Sequence, residues 1–359
     1  MVIVRVVAFV AGATLVVITI ASATRTFVLP RSAPERITRV VFLFVRNLFE
    51  LRMRRARTYE QRDRIMAMFA PVSLLALLPA WLTLVLTGYT AMFWAVGVES
   101  WYDALRESGS SLLTLGFAPL ADLPQTLLAL SEAMIGLIMV ALLISYLPTM
   151  YAAFSRREVA VTLLEVRADN PPSAVKMIQR YHRIHGLDRL TEQWRTWEAW
   201  FADIEESHTS LAALVFFRSP QPHHSWVTAA GAVLDAAAMT MSTVDTPPDA
   251  QAALCVRAGY LALRRIADFF GFPYNPAPMP TDPISIRREE FDAAYDELAA
   301  AGIPLKPSRD QAWRDFAGWR VNYDTALLAL CTLTMAPPAP WSSDRAVKFS
   351  ASFVARRRQ

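Results

Sequence analysis

Ser108-Gly109-Ser110-Ser111-Leu112-Leu113-Thr114-Leu115-Gly116-Phe117-Ala118-Pro119 decides how this chain is read. It follows Trp101-Tyr102-Asp103-Ala104-Leu105-Arg106-Glu107, and the whole stretch 101–119 is too short and too polar to cross a bilayer. It has room for a short helix and then an extended segment. Non-helical backbone is tolerated at membrane depth only where protein or water covers it, and a re-entrant loop meets that condition.

The flanks make membrane depth the relevant setting. Residues 65–98 and 133–155 carry no charge, and neither do residues 6–24. A hydrocarbon core of ~30 Å needs roughly 20 apolar residues in a helix. Three spans are therefore predicted, near 4–25, 71–94 and 128–152. The first has a second reading, because Arg5, an apolar run and Ala21-Ser22-Ala23 also resemble a cleavable signal peptide. Charge favours a retained helix. Residues 31–66 hold Arg31, Arg36, Arg39, Arg46, Arg52, Arg54, Arg55, Arg57, Arg62 and Arg64. Cleavage would leave them all outside, against the bias of basic residues toward the cytoplasm. The expected order puts the N-terminus outside, 31–66 inside, 95–127 outside and 153–359 in the cytoplasm. Arg156 and Arg157 at the inner end of the third span agree. Within 36–51, Ile37, Val40, Val41, Phe44, Leu48 and Leu51 share one helical face, and Arg36, Arg39, Arg46 and Asn47 hold much of the other. That pattern predicts a helix lying among anionic headgroups; a solvated basic linker is the other reading.

Ser-x-x-Thr-x-Gly-Phe-x-Pro, set between two spans, resembles the potassium-channel pore signature Thr-x-Gly-Tyr/Phe-Gly-Asp, with Ser110 and Ser111 at the pore-helix end. Leu128 to Leu143, with Glu132 and Gly136 opening an apolar run, resembles the inner helix of bacterial channels with two spans and one pore loop. The resemblance covers about residues 70–155. It implies a homotetramer passing K+ as the permeant ion, with no cofactor. Backbone carbonyls of Thr114, Leu115, Gly116 and Phe117, and that of Ala118 at the outer mouth, would replace the ion's hydration shell. A row of carbonyls needs alternating backbone hands, which suits Gly116. By the same resemblance Phe117 packs outward against the pore helix. Glu132 either braces the loop or adds charge at the outer mouth. Gly136 is either a hinge or a close-packing site, and Pro148 either kinks the inner helix near a gate or ends it. Three positions depart from the family: Leu113 replaces a Thr, Ala118 a Gly, and Pro119 the Asp that ties filter to pore helix. These put strict potassium selectivity in question, and a non-conducting channel-fold scaffold or sensor that binds a protein partner is the alternative.

The fold class expected is an all-α membrane protein. It comprises an N-terminal helix (1–30), an Arg-rich segment (31–66), a pore domain (67–155) and an all-helical cytoplasmic domain (156–359), in a bacterial inner membrane. In the last, helices are predicted at 156–167, 172–185, 188–207, 225–243, 248–270, 286–301 and 309–335. Leu190, Trp194, Trp197, Phe201 and Ile204 form one apolar stripe, read as core. Pro171-Pro172, Pro220-Gln221-Pro222 and Pro247-Pro248 mark breaks. Asp235, in an Ala-rich helix, is expected to pair with an arginine such as Arg257. This domain leaves an unknown protein or ligand partner open.

Composition narrows the remaining classes. The chain has 359 residues, 54% hydrophobic and 19% charged, which excludes a disordered chain. Only 12 glycines and no Gly-x-Gly-x-x-Gly argue against a dinucleotide-binding regulator. The net charge of +4 is too small to indicate nucleic acid. The 36 basic residues are arginine except Lys176, Lys306 and Lys348. Cys255 and Cys331 fit neither a disulfide framework nor a zinc site. His182 with His185, and His223 with His224, lack partners at metal-ligand spacing. No nucleophile–base motif is present, so no enzyme is expected.

Overall fold

In the computed structural model the described residues are 1–29 and 35–345; Arg31 and the last residues of the 156–359 domain lie outside them. Among the described residues there is no strand, only a single bridge between Val244 and Leu305. Three helices are long and apolar enough to cross a membrane. The chain divides into two units: residues 1–56 with 65–152, and residues 57–64 with the chain from 153 onward.

The first unit holds α1 (Val2–Phe27), α2 (Arg36–Met53), α4 (Phe69–Val96), α5 (Trp101–Leu112) and the first part of α6 (Leu123–Ala168), while α3 (Tyr59–Ala67) leads into α4. Helices α1 and α4 touch through Gly12 and Gly88, where a Cβ on Gly12 would lie 2.4 Å from the Gly88 carbonyl oxygen. Phe27 closes the lower part of this packing, its ring 5.1 Å from Trp81 and 4.6 Å from Tyr146. The amphipathic α2 lies on α4 through Phe42 and Phe49, both edge-on to Phe69. Val40, Phe44, Leu48 and Leu51 of α2 stay exposed, an apolar stripe beside Arg36 and Arg52.

The inner-helix expectation needs correction. The separate pieces 128–152 and 156–167 are one unbroken helix, α6, of 46 residues. Pro148 sits inside it and neither ends it nor separates two elements. A proline removes one ladder hydrogen bond, but the helix continues through it.

The second unit is built around α9 (Trp226–Thr243), which is buried on nearly every side. Its alanines let α7 (Ala174–Arg183), α10 (Ala250–Phe269), α12 (Arg309–Arg320) and α13 (Asp324–Thr334) approach closely. Helices α8 (Leu190–Ser210) and α11 (Arg288–Ala300) complete the shell, and the stripe Leu190, Trp194, Trp197, Phe201 and Ile204 is buried. The predicted helix 309–335 is two helices. Asn322 in the break donates its side-chain amide to the carbonyls of Gly318 and Trp319, capping α12. Asp235 pairs with Arg320 and not with Arg257, which instead donates to Tyr260.

His208 gives this unit an acid weakness. It is fully buried, and Arg157 Nη1 lies 3.2 Å from its Nε2. A guanidinium only donates, so Nε2 accepts and Nδ1 carries the proton toward Ser207 Oγ, 3.1 Å away. Burial first, and then the Arg157 charge, holds the imidazole pKa well below the usual value. The unfolded chain then binds a proton that the folded chain rejects, so stability is complete above about pH 6.5 and falls as pH drops below it. Denaturation midpoints between pH 7.5 and 5 should decline in the wild type and decline less in His208→Gln. Equal slopes would reject this role.

Candidate functional site

Helix α5 begins at Ser100, which accepts from the Asp103 amide at 3.0 Å and donates to its carboxylate at 2.6 Å. Trp94 at the end of α4 stacks on Trp101 at 4.9 Å. These contacts fix where α5 starts. It ends at Leu112, and residues 113–122 return to α6 without regular structure.

The returning segment from Leu115 to Ala118 is organised by one residue. The Ser110 carbonyl oxygen accepts from the amides of Leu115 at 2.8 Å and Gly116 at 3.4 Å. The Ser110 hydroxyl oxygen accepts from the amides of Phe117 at 3.0 Å and Ala118 at 3.2 Å. Four consecutive N–H groups thus converge on Ser110. Each belongs to the same peptide unit as the carbonyl of the preceding residue. In a trans peptide that carbonyl points the opposite way. The carbonyls of Thr114, Leu115, Gly116 and Phe117 are therefore directed away from α5, on one side of the chain. Only alternating hands allow such a row, and Thr114 (φ 53°) and Gly116 (φ 70°) are both left-handed. Ala118 is not left-handed; Pro119 biases it toward extended backbone, so the row stops before it.

The other expected residues fall in different places. Thr114 Oγ1 donates to the Leu113 carbonyl at 2.8 Å, at the α5 end of the row. The Ser111 hydroxyl turns back to the Glu107 carbonyl, while the Ser111 carbonyl accepts from the Thr114 amide at 3.0 Å. The Phe117 ring lies half exposed against α5, with the Arg106 guanidinium of that helix 5.9 Å from its centroid. Glu132 is fully buried, with Ser108 Oγ 2.6 Å from its Oε1, so it braces α5 against α6 and does not face an outer mouth. Gly136 is a close-packing site, since a Cβ there would lie 2.4 Å from the Leu112 carbonyl oxygen. Pro148 is exposed and lies in α6, distant in sequence from the loop. Sequence reasoning missed Ser108, and it missed Gln125, whose side chain accepts from Ala121 at 2.8 Å and secures the second limb.

Ser110→Ala removes the acceptor for two of the four amides. Leaving two donors unpaired costs roughly 1–3 kcal/mol each where they are buried. The Phe117 and Ala118 amides should exchange with deuterium at least tenfold faster in the variant, and Ser110→Thr should restore the native rate. No change on Ala substitution would mean the hydroxyl does not hold the loop.

Elsewhere, a cleft of about 520 Å³ in the second unit is lined by Asp169, Lys176, Asp235, Glu290, Glu297 and Trp341. Its carboxylates are already engaged, by Arg180, Arg320, Arg345 and Lys176. Among the described residues no group of His, Cys, Asp and Glu is arranged to hold a metal ion. Among the described residues, the fold and site define an all-helical architecture with three helices long and apolar enough to cross a membrane and a one-sided carbonyl row between two of them. Comparison with protein-family models, with curated proteins and with solved structures finds no match.

Proposed function

We propose that this chain is the subunit of a homotetrameric cation channel that conducts potassium. The observation that carries the reading is the set of four amides held by Ser110, which directs the carbonyls of residues 114–117 to one side. Four such rows around an axis would make rings of oxygen that replace the hydration shell of a cation. Residues 113–119 then form a re-entrant loop, with α4 as outer helix, α5 as pore helix and α6 as inner helix. The filter is Thr114 to Phe117, and Ala118 at the outer mouth contributes no aligned carbonyl. The charge bias places the N-terminus outside and the second unit in the cytoplasm of a bacterial inner membrane. The exposed stripe of α2 with its arginines suits anionic headgroups. Ala118 and Pro119 favour a second reading, a channel-fold scaffold that does not conduct.

Flux into liposomes under potassium, sodium and lithium gradients tests the reading. Potassium uptake exceeding sodium uptake supports it; no uptake of any cation leaves the scaffold. Orientation is tested by cysteine labelling from outside. A probe at Asp122 should react and one at Arg57 should not, and the reverse pattern would sink the pore reading because the loop would enter from the cytoplasm.

A further inference from the structure

The second unit contains a loop whose bonds neither the fold nor the pore reading accounts for. Residues 211–219 follow α8 and include one short turn, Ala212–Phe216. From α6 comes Arg157, fully buried, whose Nη1 donates to the Leu214 carbonyl at 2.9 Å and whose Nη2 donates to the Phe217 carbonyl at 2.7 Å. Phe217 also packs on Phe154 of α6 at 5.8 Å. The next residue of the loop, Arg218, turns the other way. Its Nη1 donates to Asp63 at 2.6 Å and to the Tyr59 hydroxyl at 3.1 Å, both on α3. Its Nη2 donates to the carbonyls of Thr334 and Met335 at the end of α13. Asp63 and Arg218 are each about nine-tenths buried, so this is not a screened surface pair. Phe217 and Arg218 are adjacent, and so are the contacts they make: one to the helix that continues the proposed inner helix, the other to the segment that leads into the proposed outer helix.

We propose that the loop 211–219 is the coupling element through which the helical unit controls the pore. This inference rests on the channel reading. A helical domain attached by α6 alone could act on one pore helix. Here a single short loop holds the non-membrane ends of both, through Arg157 and through both terminal nitrogens of Arg218. Any rearrangement of α8, α9 or α13 that shifts the loop shifts Arg157 and Asp63 together. The loop is then the shared element, and both helices read its position.

The test uses the full chain in liposomes and two readouts. The first is amide exchange. Asp63→Asn, a mild change that keeps size, should raise exchange by about tenfold in α6 near 154–158 as well as in α3 near 59–67, because the loop joins them. Arg218→Met should do the same to a greater extent. If each variant loosens only its own partner, the loop is not a coupling element and the proposal is overturned. The second readout is potassium flux. Asp63→Asn should change the flux several-fold while leaving the potassium-to-sodium ratio unchanged, since the filter is not touched. Linked exchange with unchanged flux would overturn the control function. Absence of flux in the wild type would instead remove the channel reading, while the exchange result still decides whether the loop couples α3 to α6.

Discussion

Gly116→Ala should bring potassium flux in liposomes to background while the protein still assembles. Gly116 has φ +70°, and a Cβ built there meets nothing within 4 Å. The cost is therefore conformational and not steric. A residue with a Cβ in the left-handed region loses roughly 1–2 kcal/mol. In a tetramer the four copies add to roughly 4–8 kcal/mol by the same principle. The least costly escape is to flip the peptide, which turns the neighbouring carbonyl out of the row and takes its amide off Ser110. Size-exclusion behaviour should stay native, because residues 113–117 contribute little to the packing of α4, α5 and α6. Normal flux from the variant would mean that residues 114–117 do not line the ion path.

Arg320→Met should destabilise the second unit by about 3–5 kcal/mol, the usual result of stranding a buried charge. Arg320 is completely buried. Its Nη1 donates to both oxygens of Asp235 at 2.6 and 2.7 Å, its Nε to Asp324 at 2.8 Å, and its Nη2 to the Trp341 carbonyl at 2.6 Å. Burial alone would lower its pKa, but the Asp235 and Asp324 charges carry it upward, so the guanidinium stays charged. The Tyr323 hydroxyl adds a further bond to Asp235 at 2.8 Å. Methionine has the reach but no donor or charge, and leaves two buried carboxylates with no cation, held only by neutral donors of Tyr323 and Ser285. The second change Asp235→Leu should recover part of the loss. Denaturant midpoints of the full chain in detergent, followed by tryptophan fluorescence, would measure both. A loss below about 1 kcal/mol would show that the pair is replaceable by packing alone.

What could be read in the sequence depended on whether the cause was local. The three long helices were legible because each contains a run without charge; the ends of the first two fall within two residues of those expected, while the third runs on to Ala168. The merging of two pieces into α6 was not legible, since Pro148 and the arginines at 156 and 157 look like a boundary when read one by one. The break at 321–323 was hidden for the opposite reason: the apolar pattern runs through it, and the end of α12 is marked by the Asn322 side chain and by tight backbone turns. Asp235 announced that it needed a cation, yet its partner lies 85 positions away on another helix, and sequence spacing carries no trace of that. At the candidate site, the left-handed backbone expected of Gly116 is present, and Thr114 shares it without a glycine to announce it. The role of Ser110 was out of reach, because a serine in the last turn of a helix ordinarily bonds back to its own helix, as Ser111 does here.

One anchor for four amides also has a dynamic meaning. A structure held ring by ring would loosen gradually, each oxygen layer escaping on its own. Here both anchoring atoms belong to the same residue on the last turn of α5. A small retreat of that turn releases the row as a whole. In a conducting tetramer, single-molecule current records would then show abrupt, full-height interruptions and few partial levels, and the frequency of interruptions would follow the stability of the α5 terminus and not the occupancy of any one ion position.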